Sequence, residues 1–168
     1  MIRPPAAGEV YYRGHGSGRN TSGARLVTME QDGQVLGLLR HVVRHSPTGM
    51  TWGYGGSGPA DLARSLLIDA LGDQAKCGTC AGGGQLALSH TGGQDLVEPY
   101  DPTRHSPADD GDGSRWELTG CWDCDDGLVH LPYQQFKFDV VAGLPDPGWV
   151  LTRQQLLDWY NAHADKAG

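Results

Sequence analysis

The sequence predicts an α+β fold: a small antiparallel sheet packed on two or three helices, interrupted by a cysteine-bearing insert. Three observations predict it. Asp32-Gly33 sits between two apolar runs, Leu26–Met29 and Val35–Leu39. Leu62, Ala63, Leu66, Leu67, Ala70 and Leu71 recur at helical spacing. All four cysteines fall in two Cys-x-x-Cys pairs, Cys77/Cys80 and Cys121/Cys124. A core domain of residues 1–76 and 129–168, with an insert of residues 77–128, follows from that division.

The elements can be justified in order. Residues 1–8 read as a disordered start, and Glu9 to Arg13, with Val10, Tyr11 and Tyr12, reads as a short strand. Gly14 to Gly23 reads as a loop. Asp-Gly between apolar runs is a hairpin signal, because the Gly accepts positive φ. His41 to His45 extends the second hairpin strand. Met50, Trp52 and Tyr54 alternate with Thr51 and Gly53, which predicts a third strand with one aromatic face. Gly55-Gly56-Ser57-Gly58 then leads into a helix. Pro59 suits its first position, Ser57 reads as a cap, Asp61 favours the dipole, and Gly72 stops it. Pro132 opens a second helix through Ala142, with Tyr133, Phe136, Val140, Val141 and Leu144 on one face. Thr152 and Gln155 form a capping box for a last helix bearing Leu156, Trp159, Tyr160 and His163 along one side.

Composition limits the classes. Leu, Ile, Val and Phe number 32 of 168 residues, and Gly and Pro 36. That excludes a long coiled coil or a large helical bundle and predicts a small core with loop-rich regions. No apolar run approaches the ~20 residues of a membrane span. Pro4, Pro5 and Gly8 break any secretory h-region, so the expected location is the cytoplasm (the host cytoplasm if phage-encoded). The net charge is −7, but Ser89–Asp126 alone carries ten acids against Arg104 and Arg115. Residues 1–60 carry six Arg against three acids. The acidity therefore belongs to the insert.

Two Cys-x-x-Cys turns, each offering two thiolates, can close a tetrahedral site, and four sulfurs predict structural Zn²⁺. Gln85–Ser89 and Arg115–Gly120 are the strand-like arms of a zinc ribbon. The 40 residues between the pairs exceed the usual ribbon spacing, and His90–Ser114, rich in Gly, Asp and Pro, reads as a long acidic loop. His90, His105 and His130 are possible replacement ligands, though no spacing favours them.

The stretch His45-Ser46-Pro47-Thr48-Gly49-Met50-Thr51-Trp52-Gly53-Tyr54-Gly55-Gly56-Ser57-Gly58-Pro59-Ala60-Asp61-Leu62-Ala63 resembles the signature of a domain family of unknown function from bacteriophages and bacteria. The resemblance extends over residues 9–72 and 129–162, with the cysteine-bearing insert between. It implies a phage or bacterial origin and brings no activity with it.

Three functions are compatible. The first is a non-enzymatic phage- or mobile-element-type accessory protein that binds a macromolecular partner, a protein, and modulates a host system. The second is a nucleic-acid-binding module using Arg13, Arg19, Arg25, Arg40 and Arg44. The third is a small enzyme or binding protein for a phosphorylated ligand, with Gly55, Gly56, Ser57 and Gly58 as an anion site before a helix and His45 nearby. His41 and His45, four apart, could serve as a base pair or a metal couple but lack a carboxylate partner in the sequence. No catalytic residue is assigned.

Overall fold

Asp32 and Gly33 both take positive φ, 50° and 80°, and turn strand β2 (Leu26–Gln31) into β3 (Gln34–Leu38). The expected hairpin is therefore present, with a register shift between Met29 and Glu30. β1 (Val10–His15) pairs antiparallel with β2. On its other edge β1 pairs antiparallel with β7 (Gly148–Thr152), so the sheet order is β3-β2-β1-β7. The computed structural model describes residues 3–16, 25–89, 95–105 and 116–164. They fall in two units, Met1–Gly72 with Leu131–Gly168, and Asp73–His130.

In the first unit, three helices accompany the sheet: α1 (Ser57–Leu71), α2 (Tyr133–Asp139) and α3 (Arg153–His163). The apolar stripe of α1 supplies Leu62, Ala63, Leu66, Leu67 and Ala70 to the core. Tyr12, Val27, Leu151, Phe136, Val141 and Leu156 meet them there. Tyr12 keeps a polar outlet, its hydroxyl donating to Asp69 Oδ2 at 2.7 Å. The architecture is α+β, as the sequence predicts.

Several expectations change. α1 starts at Ser57, with Gly56 as N-cap, so Ser57 is the first helical residue and makes no cap. Asp61 consequently lies beyond the first turn. Residues 50–54 form no strand, because Gly53 takes φ +86° and turns the chain. Trp52 still enters the core at 1 % exposure, donating from Nε1 to Pro145 O at 3.0 Å, while Tyr54 stays exposed. Residues 41–45 leave the sheet rather than extend β3. α2 ends at Asp139 and passes into a 3₁₀ turn, Val141–Gly143. The Thr152/Gln155 capping box is complete: the Thr152 side chain accepts from Gln155 N, and Gln155 Oε1 accepts from Thr152 N. No helix among the described residues is long and apolar enough to cross a membrane.

The second unit is built on a separate antiparallel sheet ordered β5-β4-β6: β4 (Gln85–Ser89), β5 (Leu96–Pro99) and β6 (Trp116–Gly120). β4 and β6 are the two predicted arms. β5 arises inside the stretch expected to be loop, and residues 101–105 bring His105 to 1 % exposure, its ring 4.4 Å from that of Trp116. Residues 90–94 and 106–115 lie outside the described residues.

Candidate metal centre

Each cysteine pair sits on a tight backbone knuckle. In the first, Gly82 N donates to Cys77 O at 3.0 Å and Gly83 N to Cys80 O at 3.0 Å. Ala81, Gly82 and Gly84 all take positive φ, which folds the chain back beneath the sulfurs. In the second, Asp126 and Gly127 take positive φ. The knuckles are tied to one another by Cys77 N to Gly127 O at 2.8 Å and Cys121 N to Gly84 O at 2.9 Å. Thr79 Oγ1 donates to Asp123 Oδ2 at 2.8 Å, a further link. A side chain at Gly127 would overlap the Gly82 carbonyl, so the close approach of the two turns requires glycine there.

This framework brings the four sulfurs together. Cys77 Sγ lies 3.9 Å from Cys121 Sγ, and Cys80 Sγ 3.7 Å from Cys124 Sγ. All four ligand atoms lie within 4.8 Å of one another. A tetrahedral metal with bonds of about 2.3 Å holds its sulfurs about 3.8 Å apart. A disulfide needs about 2.05 Å, and all four cysteines are free thiols. Cys77, Cys80 and Leu86 are buried, so the site has an apolar floor. Gly84 N donates to Cys80 Sγ at 3.2 Å and Gly127 N to Cys124 Sγ at 3.3 Å. These amides point positive charge at sulfurs that become thiolates on binding a cation.

The thiols differ in acidity. Backbone hydrogen bonding from Cys80 brings Cys77 down to about 7. Burial pushes Cys124 up to about 12, and burial also raises Cys121. Four thiolates so close repel one another, and a cation offsets that repulsion. The four cysteines can hold a metal ion, and a set of soft sulfur donors suits zinc, copper(I) or iron.

The other predicted residues are placed elsewhere. Gly55, Gly56, Ser57 and Gly58 do precede and open α1. Added side chains there would meet Phe138 at Gly55, the Tyr54 ring at Gly56 and Thr51 at Gly58. Packing therefore accounts for these glycines. Arg13 donates to Glu30 at 3.1 Å, and Arg25 pairs with Asp146 while lying 4.7 Å over the Trp52 ring. Arg40 and Arg44 are exposed, and Arg19 lies outside the described residues. His105 is engaged with Glu98 and Asp101, His130 is exposed, and His90 lies outside the described residues. His45 Nε2 is 2.8 Å from Tyr133 Oη. The carboxylate that sequence reasoning lacked for His41 is Asp61, which only the packing of α1 brings alongside. No spacing could have found it, because the loop between them follows no regular period.

Residues 12–82 match the model of a family of unknown function, DUF6166. That match supports kinship with an unknown-function domain family and includes the first cysteine pair. No curated protein and no solved structure matches the chain.

Proposed function

We propose that Cys77, Cys80, Cys121 and Cys124 hold one structural Zn²⁺, and that the chain is a non-enzymatic accessory protein that binds a protein partner. The observation that carries the metal reading is the sulfur geometry, with separations of 3.7 and 3.9 Å in a paired-knuckle frame. Four sulfurs complete a tetrahedron and leave no position for water or substrate, which favours a structural ion over a catalytic one. The bound ion would tie the two knuckles and orient the sheet between them.

The partner reading rests on the weakness of its rivals. The glycines before α1 serve packing, and Arg13 and Arg25, both considered for nucleic acid, are engaged with Glu30 and Asp146. The proposed setting is the cytoplasm of a bacterial cell, with a phage or mobile-element origin that the signature around Trp52 supports.

Elemental analysis of purified protein tests the metal, with one zinc per chain expected and iron or no metal overturning it. Crosslinking in the host, followed by mass spectrometry, tests the partner. A protein crosslinked to the wild-type chain in stoichiometric yield supports the reading, and recovery of nucleic acid alone overturns it.

A further inference from the structure

The two edges of the first sheet differ. β7, at one edge, is buried or half-buried along its length, whereas β3, at the other, leaves Gln34, Val35, Leu36 and Leu38 exposed. Val35 is 62 %, Leu36 56 % and Leu38 58 % exposed. Exposed edge strands are ordinarily blunted by charged side chains or proline, because their free N–H and C=O groups invite pairing. Gln34–Leu38 carries neither. Its irregularity is the register shift, which passes over Leu36 between the pairing of Val35 with Glu30 and that of Gly37 with Met29.

That shift decides where the side chains of β3 point. Val35 lies opposite Glu30 and Leu38 opposite Thr28. Thr28 and Glu30 are two apart in β2 and share one face, where Thr28 Oγ1 donates to Glu30 Oε1 at 2.7 Å, while Val27 and Met29 face the core. Val35 and Leu38 therefore share the face turned away from the core, although residues three apart in an unshifted strand point to opposite faces. Their backbone groups agree. Leu39 N donates to Val27 O at 2.9 Å, which turns the neighbouring N–H and C=O of Leu38 outward. Gln31 and Gln34 close the two-residue turn as its hydrogen-bonded pair, which turns those of Val35 outward as well.

We propose that β3 pairs antiparallel with β3 of a second copy about a two-fold axis between Leu36 and Gly37, joining two four-stranded sheets into one. Val35 of each copy then meets Leu38 of the other, through their outward amides and carbonyls and with their side chains on one face. The pairing is self-complementary, because both strands carry the same shift and so the same spacing between outward groups. The same register carries Arg40 to the Asp32-Gly33 turn of the other copy. Arg40 is exposed and has no ion-pair partner among the described residues. Asp32 is exposed too, and its Oδ1 accepts from the neutral amide of Gly8 at 2.7 Å. Opposite charges thus meet at both ends of the paired strands, which favours this alignment over a slipped one. Two-fold pairing uses up the edge of each copy, so assembly stops at a dimer.

Analytical ultracentrifugation of the full chain in reducing buffer tests the proposal. A concentration-dependent monomer–dimer equilibrium is expected, with no larger species. Val35→Lys should weaken dimerisation at least tenfold. The double variant Val35→Lys/Leu38→Glu should recover part of that loss, because the register sets the two new charges opposite each other across the axis. Arg40→Glu should weaken the dimer as well, and more at low salt than at high salt. All three positions are exposed, so the unfolding temperatures should stay at the wild-type value, which checks folding. A chain that stays monomeric up to about 200 µM, a dimer indifferent to Val35→Lys, or a double variant no tighter than the single one would each overturn the proposal.

Discussion

His41 reaches into the molecule to a wholly buried carboxylate: its Nε2 donates to Asp61 Oδ2 at 2.9 Å. The same carboxylate accepts the backbone N–H groups of Arg44, His45 and Ser46 at 3.2, 2.9 and 3.0 Å. One α1 side chain thus gathers the whole 41–46 loop. Burial alone would raise the Asp61 carboxyl, but His41 and the three amides more than offset it, and it titrates below the usual 3.8.

Replacing Asp61 with Asn should therefore destabilise the protein by ~3–5 kcal/mol, because buried donors lose a charged acceptor. Urea unfolding measures this. A depressed carboxyl contributes stability above its unfolded pKa and loses it as pH falls through the folded value. The gap between wild type and variant should hold at neutral pH and narrow below about pH 4. A gap that widens on acidification would contradict the role.

Removing the metal should act on one unit. Chelation, or Cys80→Ser, should raise amide exchange across β4, β5 and β6, because the sulfurs gather two knuckles that lie far apart in the chain. Exchange in α1 and β1 should change little, since their buried partners belong to the other core cluster. Hydrogen exchange with and without chelator reads both at once.

Gly14→Ala should cost ~1–3 kcal/mol through overpacking. The new methyl would overlap the Trp149 indole, which is itself fixed edge-on against Trp52 at 5.5 Å. Gly120→Ala, where nothing lies within 4 Å, is the control and should stay within about 0.5 kcal/mol of wild type. Thermal unfolding of the pair separates crowding from a general loss of glycine.

His105→Ala should loosen the second sheet by ~2–4 kcal/mol, since it opens a cavity and strands two polar groups. Asp101 N donates to Nδ1 at 2.9 Å, and Nε2 faces Glu98 Oε2 at 3.2 Å. His105→Phe keeps a ring on Trp116 and should recover part of the loss. Exchange at β5 amides checks the order wild type, Phe, Ala.

By itself, the sequence determined what neighbouring residues decide. The Asp32-Gly33 turn, the α1 stripe and the Thr152/Gln155 cap each depend on φ preference, helical period or one local hydrogen bond. The paired cysteines were legible for a related reason: two residues between thiols is a spacing that a single turn satisfies. Tertiary structure decided the rest. β7 was missed because its short run, Gly148–Thr152, becomes a strand only beside β1, from the opposite end of the chain. Trp52 looked like part of a strand, yet its loop is held by what the indole meets, Pro145 O and Trp149. His105 and β5 sit in a polar stretch with few aliphatics, and β4 and Trp116 supply the surface that orders them. Asp61 follows the same rule. Its distance along the chain from His41 carries no period, and only burial of α1 makes a carboxylate the acceptor the loop requires.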